Sequence, residues 1–139
     1  MRILIAEDDL TSRMFLLKLL SRYGECDLVV DGLEVLDAFL LSMKEKEYYD
    51  LICLDIMMPK LDGIRALQTI RDMELQKNIP KEQRSKIIMT TALSDSDLVK
   101  QAFELGCDAY AAKPLDTEKL LKVMKEFHLI DTEEIPMKE

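Results

Sequence analysis

The chain has 139 residues, with 27 acidic and 19 basic side chains and a formal net charge of -8. A chain of this length folds as one domain with a substantial core, and its acidity argues against a nucleic-acid-binding surface of its own. Cys26, Cys53 and Cys107 form no C-x-x-C motif, which argues against a zinc site or disulfide frame and predicts a cytoplasmic protein. No apolar run approaches the roughly 20 residues of a membrane span, so we expect no membrane insertion.

Five short apolar runs recur along the chain, and an amphipathic segment follows each of them. Runs of this length, bounded by turn residues, predict β-strands, and the segments between them have helical periodicity. The predicted strands cover residues 3–6, 28–30, 51–54, 86–90 and 109–111. Because each crossover is long enough for a helix, the strands should run parallel. The predicted fold is a doubly wound α/β sheet of flavodoxin-like order 2-1-3-4-5, with five helices on both faces.

The spacing of apolar residues predicts the buried faces of the first two helices. The stripe of the first helix, which is expected to end at Gly24, is Leu10, Met14, Leu17 and Leu20. The second helix opens with capping-box spacing over Asp31–Glu34. Its predicted stripe is Leu33, Leu36, Leu40 and Met43.

The same reasoning covers the rest of the chain. The third helix follows Gly63, and its buried residues should be Ile64, Leu67 and Ile70. The fourth opens over residues 94–97 and closes at Gly106, around Leu98, Ala102 and Leu105. The fifth opens at Asp116, with Leu120, Met124 and Phe127 inside and His128 at its C-terminal end. Residues 74–85 are predicted to be a helix end followed by a solvated loop, and residues 130–139 an acidic tail.

Polar side chains follow four of the five predicted strands. Glu7 and Asp8 follow the first strand, Asp55 the third, Thr91 the fourth and Lys113 the fifth. In the predicted order these strand ends are neighbours, so the three carboxylates should converge at one edge of the sheet. Carboxylates packed together need a cation among them, and oxygen ligands without His or Cys suit Mg²⁺.

This arrangement predicts a place where Asp55 accepts a phosphoryl group as the nucleophile, assisted by Lys113 and Thr91. Taken singly, each feature has an ordinary structural explanation. Residues 7–9 can cap a helix, Asp55 can occupy a turn, Thr91 can cap the fourth helix, and Lys113 can belong to a surface turn. The coincidence of four complementary strand ends favours the functional interpretation.

Four motifs, in this order and spacing, resemble the receiver domains of two-component response regulators. They are Ile3–Asp9, Leu54–Gly63, Ile87–Ala92 and Gly106–Pro114. The resemblance extends from Arg2 to Leu129, which defines a predicted receiver domain over residues 1–129.

The resemblance implies that Asp55 is phosphorylated from a histidine of a sensor kinase or a phosphotransfer protein. It also implies that Asp8, Asp55 and the backbone carbonyl of Met57 bind Mg²⁺ directly, with Glu7 acting through water. Thr91 would donate a hydrogen bond to the phosphoryl group, and Lys113 would pair with it. The protein would catalyse only its own phosphorylation and dephosphorylation.

The resemblance assigns Tyr110 as a switch that swings inward when Thr91 moves toward the phosphate. Without the family, a half-buried sheet residue with a polar tip is the simpler reading of Tyr110. The expected output surface is formed by the fourth helix, fifth strand and fifth helix. It would signal to a downstream protein, with the chain a monomer or a phosphorylation-dependent dimer.

Two features depart from the common pattern of the family. Glu7 stands where many relatives have Asp, so its longer side chain can shift the metal geometry. Met57 and Leu93 are apolar at the positions that flank the route of attacking water. We hypothesise that they slow dephosphorylation, and Met57→Asn combined with Leu93→Glu tests this.

Several functions remain open from the sequence. The first is a phosphoacceptor switch without an output domain, since only ten residues follow Leu129. The chain can instead relay the phosphoryl group to another histidine protein, or act as a receiver-like binding module without phosphorylation. An aspartyl phosphohydrolase is disfavoured because Met57 replaces the second Asp of the dehalogenase-like phosphatases. A nucleotide or flavin site is disfavoured because the four glycines form neither G-x-G-x-x-G nor a P-loop.

Overall fold

A computed structural model describes residues 1–92 and 96–131 of the chain. Five strands and five α-helices alternate along these described residues. In chain order they are β1 (Arg2–Ala6), α1 (Leu10–Leu20), β2 (Glu25–Val29), α2 (Gly32–Glu45), β3 (Leu51–Asp55), α3 (Gly63–Gln76), β4 (Lys86–Thr91), α4 (Ser96–Glu104), β5 (Ala109–Ala112) and α5 (Thr117–Glu126). A short 3₁₀ turn, Lys81–Gln83, precedes β4.

All four strand pairings are parallel, and the sheet order is β2-β1-β3-β4-β5. The predicted doubly wound fold is therefore confirmed. The central strand β3 is buried along its whole length, as its apolar residues on both faces predict. Among the described residues, no helix combines the length and apolar character that crossing a membrane requires.

The two faces of the sheet have separate hydrophobic cores. The core under α2, α3 and α4 contains Phe39, Leu54 and Leu67. The core under α1 and α5 contains Ile5, Cys53 and Met124. Ile130, which the sequence assigned to the tail, is buried in this second core. The domain limit at residue 129 stays a prediction, and residues 132–139 lie outside the described part of the chain.

The predicted stripes of α1 and α2 are partly wrong. Leu10 is 61% exposed and Met14 is 52% exposed, while the helix buries Leu16, Leu19 and Leu20. In α2, Leu33 and Leu40 are exposed and the buried residues are centred on Val35 and Phe39. Both helices carry more apolar residues than the sheet can cover, and the sheet meets a face rotated from the predicted one.

Other boundaries also differ from the prediction. β2 begins three residues earlier, at Glu25, because pairing with β1 outweighs the poor strand propensity of its polar residues. Helix α1 ends at Leu20 rather than at Gly24. The capping box is confirmed, since Asp31 Oδ1 accepts from Glu34 N at 2.9 Å. The predicted start of α4 at Ser94 lies outside the described residues, whereas its end at Gly106 is confirmed by a φ of 106°.

The segment predicted to be a helix end and a solvated loop contributes Glu74 to a largely buried ionic cluster. Helix α3 runs to Gln76, and Glu74 is buried within its last turns. Arg71 Nη1 lies 2.7 Å from Glu74 Oε1, and Arg71 Nη2 lies 2.9 Å from Asp108 Oδ2. Ser85 N donates to Glu74 Oε2 at 2.9 Å. We call Arg71, Glu74 and Asp108 the α3 ion cluster; it joins α3, the start of β4 and the loop before β5.

Gly32, the first residue of α2, lies against the loop that follows β3. An added Cβ at Gly32 would be 2.0 Å from the backbone oxygen of Leu61, a distance that no side chain tolerates. Gly32 N also donates to Pro59 O at 3.4 Å. The start of α2 therefore packs backbone to backbone against the loop of residues 56–62.

Candidate phosphoacceptor site

Glu7 and Asp8 follow β1 at the carboxyl edge of the sheet. Glu7 N donates to Val29 O at 3.1 Å, so pairing with β2 continues past the end of β1 and holds Glu7 over the sheet. The Glu7 side chain is buried and Asp8 is exposed. Asp9 instead caps α1, because its Oδ2 accepts from Ser12 N at 3.0 Å. The capping explanation therefore holds for Asp9 alone among the three acids.

Asp55 ends β3 and is 3% exposed. Its Oδ1 accepts a hydrogen bond from Met57 N at 3.2 Å, which fixes one side of the carboxylate in the following turn. The Met57 side chain is 58% exposed at the mouth of this turn. Asp55 is thus a buried carboxylate with one oxygen held by backbone and the other directed toward Lys113.

Lys113 connects the strand ends. Its backbone N donates to Thr91 O at 2.8 Å, which continues the pairing of β4 and β5. Its Nζ lies 2.7 Å from Glu7 Oε1 and 3.3 Å from Asp55 Oδ2. One ammonium group therefore joins the ends of β1, β3 and β5, as the spacing of these residues in the sequence predicted.

Three carboxylates meet beside this ammonium group. One oxygen from each of Glu7, Asp8 and Asp55 lies within 4.8 Å of the others. The ligand oxygens around a six-coordinate Mg²⁺ ion are about 3–4 Å apart, so a small closure brings these oxygens to that spacing. An all-oxygen set that is part buried and part exposed suits a hard cation that keeps some of its water. The residues present fit Mg²⁺.

Burial sets the electrostatics of the site. Desolvation and, after it, the nearby Glu7 raise the pKa of the Asp55 carboxyl from 3.8 to about 7, against the opposing effects of Lys113 and the Met57 amide. Burial lowers the pKa of the Lys113 ammonium, but Glu7 and Asp55 outweigh burial, so the net pKa lies above its ordinary 10.5. The lysine is a permanent cation, whereas the aspartate binds its proton unusually tightly until a cation offsets the local charge.

Two threonines end β4 beside the site. Thr91, the predicted donor to the phosphoryl group, is buried at the last position of the strand. Thr90 pairs in register with Asp55 on β3. Its side chain is fully buried, and its hydroxyl has no hydrogen-bond partner in the described part of the chain. Sequence reasoning missed Thr90, although strand alternation from Cys53 and Ile88 would have placed it on the same face as Asp55.

Tyr110 lies on β5 and points outward. Its side chain is 46% exposed, and its ring meets that of Phe103 on α4 edge to face, with centroids 6.3 Å apart. A cavity of about 420 Å³ adjoins it, lined in the described residues by Ala92, Ser96, Val99, Lys100, Tyr110, Ala112 and Lys113. Leu93, predicted to flank the site together with Met57, lies outside the described residues.

Sequence comparison identifies relatives of the chain. The model of the response regulator receiver domain family matches residues 3–125. The chemotaxis protein CheY of Treponema pallidum is 35% identical over 128 residues, which cover 87% of this chain and 78% of that protein. Other curated relatives are much longer, and the chain spans 4% of a hybrid histidine kinase of Dictyostelium discoideum and 44% of a probable transcriptional regulator of Cyanophora paradoxa.

Solved structures agree with the sequence comparison. CheY in the CheX–CheY–BeF₃–Mg complex of Borrelia burgdorferi is 31% identical, with a TM-score of 0.72 over 91% of this chain and 88% of that one. A match with a TM-score of 0.76 and 28% identity comes from the Saccharomyces cerevisiae co-crystal of the histidine phosphotransfer protein Ypd1 and the Ssk1 receiver domain, over 91% of this chain and 88% of that one. The chain therefore belongs to the response regulator receiver domains, a family of phosphoacceptor signalling proteins rather than conventional enzymes.

Proposed function

We propose that this chain is a response regulator that accepts a phosphoryl group on Asp55 and signals to a protein partner. The observation that supports this most directly is the position of Lys113 Nζ, 3.3 Å from Asp55 and 2.7 Å from Glu7, within a cluster of three carboxylates. A carboxylate held beside a fixed cation can attack a phosphorus atom and keep the resulting acyl phosphate in place.

The transfer forms one bond and breaks one bond. An oxygen of ionised Asp55 attacks phosphorus, and the bond from phosphorus to the donor's histidine nitrogen breaks, with the electron pair leaving on the imidazole. Lys113 stays protonated and offsets charge on the phosphoryl oxygens. Thr91, at the end of β4, would donate its hydroxyl hydrogen to one of these oxygens. Glu7 and Met57 N orient Lys113 and Asp55 before the donor arrives.

We assign Glu7, Asp8, Asp55 and the Met57 carbonyl as the residues that hold Mg²⁺. When bound, Mg²⁺ offsets the negative charge of the carboxylates and the transferred group. Asp55 is buried and Asp8 is exposed, so solvent keeps access to part of the site. Glu7, already paired with Lys113, would act through water.

We propose that the phosphodonor docks on exposed apolar side chains beside the site. Leu10 and Met14 begin α1 just after Asp8, and both are exposed. Met57 adds a third exposed apolar side chain beyond Asp55. Exposed apolar side chains near one another are typical of protein contact sites. We propose that the donor is a histidine-bearing protein in the cytoplasm, where the free cysteines 26, 53 and 107 remain reduced.

The output should pass through Tyr110. The ring is now outside, and the cavity beside it offers space between α4 and β5. Movement of Thr91 toward a phosphoryl group would open the way for the ring and change the surface of α4, β5 and α5. The phosphate shifts this equilibrium only by the difference in stability that it gives the two arrangements. Dimer formation through the altered surface is one form the output can take.

Acetyl phosphate with Mg²⁺, followed by intact mass measurement, tests the proposal. We expect one phosphoryl adduct in the wild type and none in Asp55→Asn. Omission of Mg²⁺ should abolish the adduct, and Lys113→Ala should slow its formation. Absence of an adduct in the wild type would leave the alternative of a binding module that does not depend on phosphorylation.

Relay of the phosphoryl group to a second histidine protein is the other candidate. It is supported by the similarity to the Ssk1 receiver domain, which was crystallised with a phosphotransfer protein. Purified phosphorylated chain can be mixed with the phosphotransfer proteins of the source organism. Transfer of label to a histidine within minutes would favour relay, and retention of label on Asp55 would favour direct signalling.

A further inference from the structure

The Thr90 hydroxyl is a buried polar group that the proposed chemistry does not use. It is inaccessible to solvent and has no hydrogen-bond partner among the described residues. A buried hydroxyl without a partner costs free energy that a valine of the same shape would avoid. Its presence beside the phosphoacceptor therefore calls for a role at another stage of the reaction.

The register of the sheet places Thr90 on β4, the strand between β3, which ends at Asp55, and β5, which Lys113 follows. Asp55, Thr90 and Ala111 are opposite one another on β3, β4 and β5. Lys113 is two residues beyond Ala111 and so shares its face of the sheet. The Lys113 side chain spans β4 to bring Nζ within 3.3 Å of Asp55. Thr90 is the residue of β4 on that face at that level.

The residues before the site confirm which face this is. Cys53, two residues before Asp55, and Ile88, two residues before Thr90, pack in the same core under α1 and α5. Ala111 packs against that core as well. Because side chains alternate along a strand, Asp55, Thr90 and Lys113 emerge on one side of the sheet.

The ammonium group has hydrogen-bonding capacity to spare. Lys113 Nζ carries three N–H donors, and the structure directs it at two carboxylates, those of Glu7 and Asp55. When Asp55 becomes an acyl phosphate, its oxygens lose most of their charge and the ammonium group turns toward the phosphoryl oxygens. A neutral acceptor beneath the lysine can then hold the ammonium group in its new direction.

We propose that Thr90 is a positioning residue for Lys113, whose Nζ donates a hydrogen bond to the Thr90 hydroxyl while Asp55 is being phosphorylated. This inference rests on the proposed function of Asp55. It explains why a hydroxyl without a resting-state partner lies at a buried position where an apolar side chain would pack equally well. The Thr90 hydroxyl would form its hydrogen bond during phosphorylation. In the unphosphorylated protein it has no partner among the described residues, and the fold is less stable by the free-energy cost of that unpaired hydroxyl.

The test compares Thr90→Val, which keeps the shape, with Thr90→Ser, which keeps the hydroxyl. Phosphorylation by acetyl phosphate and Mg²⁺ is followed by intact mass. We expect Thr90→Val to be about tenfold slower, the usual effect of one hydrogen bond to a charged group, and Thr90→Ser to recover most of the rate. Urea unfolding should show Thr90→Val to be at least as stable as the wild type, so that lost folding does not explain a lower rate.

A double-mutant cycle decides whether Thr90 acts through Lys113. In the Lys113→Ala background, Thr90→Val should cause no further slowing. Thr69→Val, which removes a helix-surface hydroxyl bonded to Arg65 O, is the matched control and should change nothing. Equal rates for the wild type and Thr90→Val, or equal slowing with and without Lys113, would overturn the inference. A wild type that takes no phosphoryl group at all would instead overturn the proposed function, and this inference with it.

Discussion

At the scale of single residues, the site holds carboxylates that disfavour one another's negative charge, and the Lys113 ammonium group lies between two of them. Burial disfavours the charge on Asp55, and the neighbouring Glu7 disfavours it again. The proposed phosphorylation nevertheless needs the ionised carboxylate, because only that form attacks phosphorus. A cation that entered the site would favour ionisation of Asp55. Under the proposed function, the three carboxylates would then prepare the nucleophile as well as hold the cation.

The pH dependence of stability tests this description. The folded-state pKa of Asp55 is about 7 against an ordinary value of 3.8, so the folded protein holds a proton that the unfolded chain releases. Folding stability should therefore fall as pH rises between these values. Asp55→Asn lacks this proton, so it should be more stable than the wild type at about pH 8, with the difference vanishing near about pH 4. Thermal unfolding in EDTA measures this.

The matching control is the same series with saturating Mg²⁺. The ion should stabilise the wild type at high pH and leave Asp55→Asn much less affected, since the variant has lost one charged ligand. If the difference in stability between the wild type and Asp55→Asn does not change with pH, Asp55 is ionised in the folded protein even without Mg²⁺.

Met57 should control the lifetime of the phosphorylated state. Its exposed thioether side chain stands two residues from Asp55, where it can keep water from the phosphorus atom. Met57→Asn replaces this group with one that binds water, so we expect phosphate loss to be several-fold faster. Decay of purified phosphorylated protein, followed by intact mass, gives the rate. Met14→Asn, at a similarly exposed methionine of α1, should decay like the wild type.

Sequence reasoning was most successful for residues whose chemistry is costly anywhere else. A carboxylate at the end of a fully apolar strand, such as Asp55, has few tolerable places in a fold. Glu7 and Lys113 were found in the same way, and the structure brings all three together. Thr90 was missed because threonine is common in strands, and only the absence of a partner in three dimensions distinguishes it. The structure shows where these residues lie, and the roles of all the predicted site residues remain predictions: Glu7, Asp8, Asp55, Met57, Thr91, Tyr110 and Lys113.

At the scale of elements, spacing predicted the existence of each helix better than the face it buries. The exposed Leu10 and Met14 and the buried Leu16 and Leu20 are all apolar residues of α1. Periodicity can identify an apolar face, but a helix with apolar residues on two adjacent faces offers two candidate buried faces that periodicity cannot distinguish. Packing against the sheet decides which face is buried, and the spacing of residues within one helix does not predict this packing. β3, by contrast, is buried on both faces and left no such choice.

The α3 ion cluster shows a second limit of reading one segment alone. Glu74 and Ser85 look like surface residues until Arg71 and Asp108, from other parts of the chain, are placed beside them. Breaking a buried ion pair by removing one partner leaves an uncompensated charge. We expect Arg71→Met to destabilise the fold by about 3–5 kcal/mol, measured by urea unfolding.

Two companion variants make this prediction specific. Arg65→Met changes an exposed arginine of the same helix and should lie within about 0.5 kcal/mol of the wild type. Combining Arg71→Met with Glu74→Leu removes the stranded charge and should restore part of the lost stability. If the double variant is as unstable as the sum of the two single ones, the ion pair is not the source of the effect.

At the scale of the whole molecule, the sheet separates two hydrophobic cores, one on each of its faces. β1, β3 and β4 lie inside the sheet, while β2 and β5 form its edges. We expect amide protons of β3 to exchange with solvent only on global unfolding, and those of β2 and β5 to exchange earlier through local opening. Hydrogen exchange followed by NMR measures this order. Equal protection of edge and centre would show that the domain opens as one unit.

The contact of Gly32 with the loop after β3 restricts which residues can replace this glycine, in natural variants and in engineered ones. No charged or reactive group of Gly32 takes part in the proposed chemistry, yet a single methyl group there would collide with the Leu61 carbonyl and displace the loop that holds Met57. A Gly32→Ala substitution would thus deform the entrance to Asp55 from another helix. The shape of that entrance therefore depends on the absence of a Cβ atom at position 32.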